Sequence, residues 1–97
     1  MGMKAKIINP PRDLGGGWME GYCGKYKFQA KVYDEPSEYG INDGRVSKLC
    51  VYDDAKRLEE SLVAATIISY DRGWDTEPKT AEAKGILETI LKQFPNP

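Results

Sequence analysis

Trp18-Met19-Glu20-Gly21-Tyr22-Cys23-Gly24-Lys25-Tyr26-Lys27-Phe28-Gln29-Ala30-Lys31-Val32-Tyr33 is the stretch that decides the fold. Beyond Gly24 the residues alternate without a break. Tyr26, Phe28, Ala30 and Val32 fall on one side, and Lys25, Lys27, Gln29, Lys31 and Tyr33 on the other. That period of two marks a strand with one buried and one wet face. Gly24 occupies the first central position of Cys23-Gly24-Lys25-Tyr26, where a type II′ hairpin turn needs positive φ. A two-residue turn fixes the pairing. Cys23 then faces Tyr26, Gly21 faces Phe28 and Met19 faces Ala30 on the inner side. On the outer side Tyr22 faces Lys27, Glu20 faces Gln29 and Trp18 faces Lys31. Gly21 opposite Phe28 leaves room for the ring over the neighbouring backbone.

Working outward toward the N-terminus, Gly15-Gly16-Gly17 reads as a flexible hinge. Residues 1–17 are then an N-terminal arm or an edge strand, with Lys4 to Ile8 as the segment that would pair. Toward the C-terminus, Asp34 to Gly44 is a long acidic connection, of a length that is usually functional or mobile. Arg45 to Tyr52 resumes as a strand, but its apolar residues do not alternate and its faces stay unassigned. Asp53-Asp54 caps a short helix at residues 55–62, with Leu58 and Leu62 one turn apart. Val63 to Tyr70, rich in β-branched residues, reads as another strand. Thr80 caps a C-terminal helix at residues 80–94 whose stripe is Ala83, Ile86, Leu87, Ile90, Leu91 and Phe94, ended by Pro95. The expected fold is one α+β domain spanning residues 1–97. A three- to four-stranded antiparallel sheet within residues 18–75 carries the C-terminal helix on one face.

Composition narrows the function classes. Fourteen basic and fifteen acidic side chains give a net charge of −1, which argues against a protein that coats nucleic acid generally. No apolar run approaches the length of a membrane span, and no secretory leader is legible at the start. A cytoplasmic location is therefore expected. The chain has no histidine, which removes the commonest general base and the usual triads. Cys23 and Cys50 form no closely spaced pair and read as two buried thiols, so neither a zinc site nor another metal site is expected. Tyr39 and Ile41 stand where a calcium loop would need oxygen ligands. No phosphate-loop motif is present. Asp71 with Asp75, and Asp53 with Asp54, are carboxylate pairs without a sign of convergence. No catalytic residue and no cofactor is expected.

Binding is the better-supported class. Trp18 and Tyr22, with Lys25, Lys27 and Lys31, would make the open sheet face partly aromatic and partly cationic. Such a surface stacks on bases and neutralises phosphate. The rival reading covers the two rings with the N-terminal arm, the short helix or a second subunit. Tyr70-Asp71-Arg72-Gly73-Trp74-Asp75 is the other candidate. In one version Trp74 stacks on a planar group while Arg72 forks onto a phosphate or carboxylate. In the other, Gly73 supplies positive φ to a turn and Trp74 folds back as a lid over the helix end.

Gly21-Tyr22, Tyr26 to Tyr33, Gly44 to Leu49 and Tyr70 to Pro78 together resemble a family of small proteins without assigned activity, carried by phages and prophages of Gram-positive bacteria. The resemblance spans roughly Trp18 to Phe94, with Ala55 to Leu62 as a variable insert. It implies an accessory, counter-defence product in the host cytoplasm. The leading expectation is a homo-oligomeric binding module that sequesters a small nucleotide-like ligand through Trp18, Tyr22, Lys27, Lys31, Arg72 and Trp74. The alternative is an inhibitor of a host protein complex, with Asp34, Glu35, Glu38 and Asp43 imitating nucleic-acid charge. A third is a structural or regulatory phage component.

Overall fold

The computed structural model describes residues 11–96. Its core is one antiparallel sheet whose strands lie side by side in chain order. They are β1 (Arg12–Gly15), β2 (Trp18–Cys23), β3 (Tyr26–Val32), β4 (Val46–Asp53), β5 (Thr66–Asp71) and β6 (Trp74–Thr76). Between β4 and β5 run two short helices, α1 (Asp54–Glu59) and α2 (Leu62–Ala65), and α3 (Ala81–Leu91) closes the chain. The fold is thus α+β with an antiparallel sheet and a C-terminal helix, as expected, but the sheet has six strands rather than three or four.

The hairpin register is the one the turn dictates: Trp18 pairs with Lys31, Gly21 with Phe28, and Cys23 with Tyr26. Gly24 takes φ +62°. A β-carbon on Gly21 would lie 2.8 Å from the Phe28 ring, so the missing side chain is what lets that ring settle. Phe28, Val51, Ile68 and Ile90 are completely buried. They form one layer between the sheet's inner face and α3, where burial of each such side chain contributes about 1.5–3 kcal/mol. The Thr80 hydroxyl accepts from the Ala83 amide at 3.0 Å and starts α3. The Tyr26 hydroxyl donates to Glu82 at 3.1 Å and ties the hairpin to that helix.

The two additional strands are the sheet's edges. Gly15, Gly16 and Gly17 all have positive φ and turn the chain back so that β1 pairs with β2. They close a tight turn rather than a hinge. Lys4 to Ile8, the segment expected to pair or to hang free, lies outside the described residues. At the other edge, β6 pairs with β5 through Tyr70 and Trp74, in a stretch too short to show alternation.

Bulges explain the unreadable faces of β4. Lys31 pairs with Lys48, yet Val32 pairs with Val46, so Ser47 is an extra residue in β4. Val51 pairs with Ile68 and Tyr52 with Thr66, leaving Ile67 extra in β5. Each insertion shifts the period by one. The Ser47 hydroxyl is buried there without a hydrogen-bond partner. Further boundaries differ. The C-terminal helix expected at residues 80–94 spans Ala81–Leu91, which leaves Phe94 beyond its end. The helix expected at residues 55–62 ends at Glu59. Residues 63–65, expected to begin a strand, are helical instead, within α2, whose start the Ser61 hydroxyl caps by accepting from the Ala64 amide. Leu58 and Leu62, the expected stripe, point largely into solvent.

Candidate ligand-binding face

With α3 on the inner side, the outer side of the sheet is built from the alternate residues. Cross-strand partners share a face, so the registers define rows running across the strands. Trp18, Lys31, Lys48 and Asp71 form one row. The next holds Glu20, Gln29, Cys50 and Ser69, and the third Tyr22, Lys27, Tyr52 and Thr66. Each aromatic residue of β2 meets the lysine opposite it. The Lys31 ammonium lies 5.6 Å from the centre of the Trp18 ring, and Lys27 lies 5.8 Å from that of Tyr22. Both distances fit cation–π attraction. Trp18 keeps 36% of its surface exposed, and Tyr22 is half-buried. Arg57 of α1 lies over the Tyr52 ring and covers the far end of the third row.

The charges of this face are neighbours of one another. Glu20 binds Arg12 at 2.7 Å and approaches Lys27 at 3.5 Å. Gln29 donates to its second oxygen at 3.1 Å. The bond from Gln29, then Lys27 and Arg12, hold the Glu20 carboxyl below the usual carboxylate range, although burial pulls the other way. Burial likewise opposes the charged form of Lys27, but Tyr52, Glu20 and Tyr22 together raise it above the usual lysine range. Lys31 donates to the Gly16 carbonyl, and Lys48 stands 3.7 Å from Asp71.

Row heights shape the surface. Cys50 and Ser69 are short side chains beside the longer Lys48 and Asp71, and the result is a notch of about 200 Å³. Trp18 and Gln29 line its other side. The Cys50 thiol is half-buried rather than buried. Burial raises its pKa against a hydrogen bond with Thr66, which keeps it in the thiol form. Lys48 and Ser69 were not singled out from sequence, and Gln29 and Cys50 were named there without a part in the site. A regular alternation through β4 would have identified Lys48 and Cys50, and the bulge at Ser47 hides it.

Of the remaining candidates, Trp74 does not join this face. Trp74 pairs with Tyr70 and meets its ring edge-on, centroids 4.9 Å apart. Tyr70 in turn pairs with Leu49, a core residue, so Trp74 stands on the helix side of the sheet. The single site expected from Trp18, Tyr22 and Trp74 is therefore divided between opposite faces. Arg72, rather than Gly73, takes positive φ at 55°, and its amide donates to the Ser47 carbonyl at 2.9 Å. Its guanidinium is largely exposed, 3.9 Å from Asp71.

The acidic connection is an ordered loop. The Ser37 amide donates to the Gly44 carbonyl at 3.0 Å, the Tyr70 hydroxyl donates to the Tyr39 carbonyl at 2.7 Å, and Ile41 is buried in the core. Gly40 is obligatory, since a β-carbon there would lie 2.0 Å from the Gly44 carbonyl oxygen. Asp34, Glu35, Glu38 and Asp43 remain exposed.

No group of three metal-ligating side chains is assembled among the described residues, and no helix among them is long and apolar enough to cross a membrane. No curated protein and no solved structure matches the chain. One family model does, over residues 17–95, from the start of β2 to beyond the end of α3. That span takes in the hairpin, the notch and the helix, and the chain belongs to the family described as Domain of unknown function (DUF7678).

Proposed function

We propose that this domain is a non-catalytic binding module that takes a small, planar, anionic ligand of nucleotide type on its outer sheet face. The observation that carries the reading is the pairing of Trp18 with Lys31 and of Tyr22 with Lys27 on the face that α3 leaves open. An aromatic ring supplies stacking worth about 1–3 kcal/mol per base, and the adjacent ammonium groups supply countercharge for phosphate. Sequestration is the corresponding mode of action, since stacking and countercharge supply affinity. The resemblance to phage-borne accessory proteins supports the same mode. Differential scanning fluorimetry with nucleoside monophosphates tests it. Ligand at one hundred times its Kd stabilises the fold by about 2.7 kcal/mol, and Trp18→Ala should abolish that gain. No stabilisation of the parent protein, or an equal one in Trp18→Ala, contradicts the reading.

A second reading rests on the loop at residues 34–44. It is held in one conformation by its own hydrogen bonds, and Asp34, Glu35, Glu38 and Asp43 form no ion pair among the described residues. A rigid, solvated set of carboxylates suits a basic protein partner. Lysine substitutions at Asp34, Glu35 and Glu38 should then weaken capture of that partner and flatten its salt dependence. Unchanged capture removes this reading.

A further inference from the structure

We infer that the notch on the outer face recognises the base of the ligand, and that the base is guanine. This rests on the reading of that face as a nucleotide surface. The notch holds about 200 Å³, below the roughly 300–1,000 Å³ of sites that enclose a whole small molecule. It therefore accommodates a ring system, and the sugar and phosphate lie outside it along the lysine row. Trp18 lines the notch at the β2 end of its row, and Lys48 and Asp71 form the rim at the β4–β5 end. β2 and β5 are three strand spacings apart, about 14 Å, which leaves room for a purine between the Trp18 indole and the Asp71 carboxylate.

The rim sets the hydrogen-bond code. Lys48 and Asp71 are direct cross-strand partners and stand side by side at 3.7 Å. Lysine only donates, and an ionised carboxylate only accepts, through two oxygens. Read across the strands, the rim presents one donor followed by two acceptors. Guanine carries the complement on a single edge: the O6 acceptor, the N1–H donor and the exocyclic N2 amine. Adenine places its amine and ring acceptor in the opposite sense, with the amine against the ammonium. Both cations near Asp71, Lys48 and Arg72, approach the same oxygen, Oδ1, at 3.7 and 3.9 Å. These separations exceed hydrogen-bond length, so the carboxylate keeps acceptor capacity on both oxygens.

Equilibrium dialysis of GMP, IMP, AMP and inorganic phosphate against the full chain, Asp71→Asn and Trp18→Ala tests the assignment. IMP differs from GMP only in lacking the N2 amine, and a bidentate contact to a base is worth about 1–3 kcal/mol. The parent protein should bind GMP at least about fivefold more tightly than IMP, with AMP weaker still and phosphate weakest. Asp71→Asn should remove the preference for GMP over IMP. Equal affinity for GMP and IMP, or a preference that survives Asp71→Asn, overturns the guanine assignment. If binding in that case is still lost in Trp18→Ala, the nucleotide-face reading stands. Absence of binding by all three nucleotides overturns both.

Discussion

On β3, Phe28 is completely buried while the adjacent Lys27 keeps 21% of its side chain in solvent. The same backbone serves a close-packed layer under α3 and, one residue on, an open face of rings and charges. Side chains on the inner face are fixed by volume, since each one fills space that no water can replace. Those on the outer face are fixed by charge and by cross-strand pairing, and among the described residues nothing is stacked above the notch. Stability should therefore follow the inner residues, and ligand recognition the outer ones.

Substitutions on the two faces can break that division. Phe28→Ala should cost the most, about 3–5 kcal/mol, as measured by urea denaturation. A loss below about 1 kcal/mol would mean that the ring is not part of the core. Gly21→Ala comes next. The added methyl would meet the Phe28 ring at 2.8 Å, and overpacking of this kind costs about 1–3 kcal/mol. A combined Gly21→Ala, Phe28→Leu variant should recover part of the loss, because the clash is with the ring.

Outer-face effects are smaller. Glu20 is held below the usual carboxylate range when folded. Its contribution to stability is present above its unfolded pKa and is lost as pH falls through the depressed folded value. Glu20→Gln should therefore cost no more than about 1 kcal/mol at neutral pH and should flatten the acid limb of the stability curve. An acid limb of unchanged steepness would show that Gln29, Lys27 and Arg12 do not act through this carboxylate. Ser47→Ala should have the smallest effect, near zero or slightly stabilising, because its buried hydroxyl has no partner to lose. A loss above about 1 kcal/mol would mean that a bound water or another group satisfies it.

The sequence discloses these regions unequally. The β2–β3 hairpin was legible to the residue, because Gly24 sets the turn and seven residues of β3 alternate without a bulge. The apolar stripe of α3 was legible for a similar reason, since one period runs through the whole element. β1 and β6, with four and three residues, are too short for a period to appear. In β4 the period is present but displaced at Ser47, which concealed Lys48 and Cys50 and with them the notch. Trp74 could not be placed from local pattern, since its face depends on pairing with Tyr70 across the β5–β6 turn. Arg72 adopts the positive φ that composition assigned to Gly73, because its amide is drawn to the Ser47 carbonyl.

A titration of the ¹⁵N-labelled protein with GMP, followed by amide and indole chemical shifts, bears most directly on the separation of the two faces. The expected result is a saturable set of shifts at the Trp18 indole and at Gln29, Lys48, Ser69 and Asp71, with residues of α3 and the Trp74 indole unmoved. Shifts confined to Trp74 and the N-terminal turn of α3 would place recognition on the helix side and contradict the assignment.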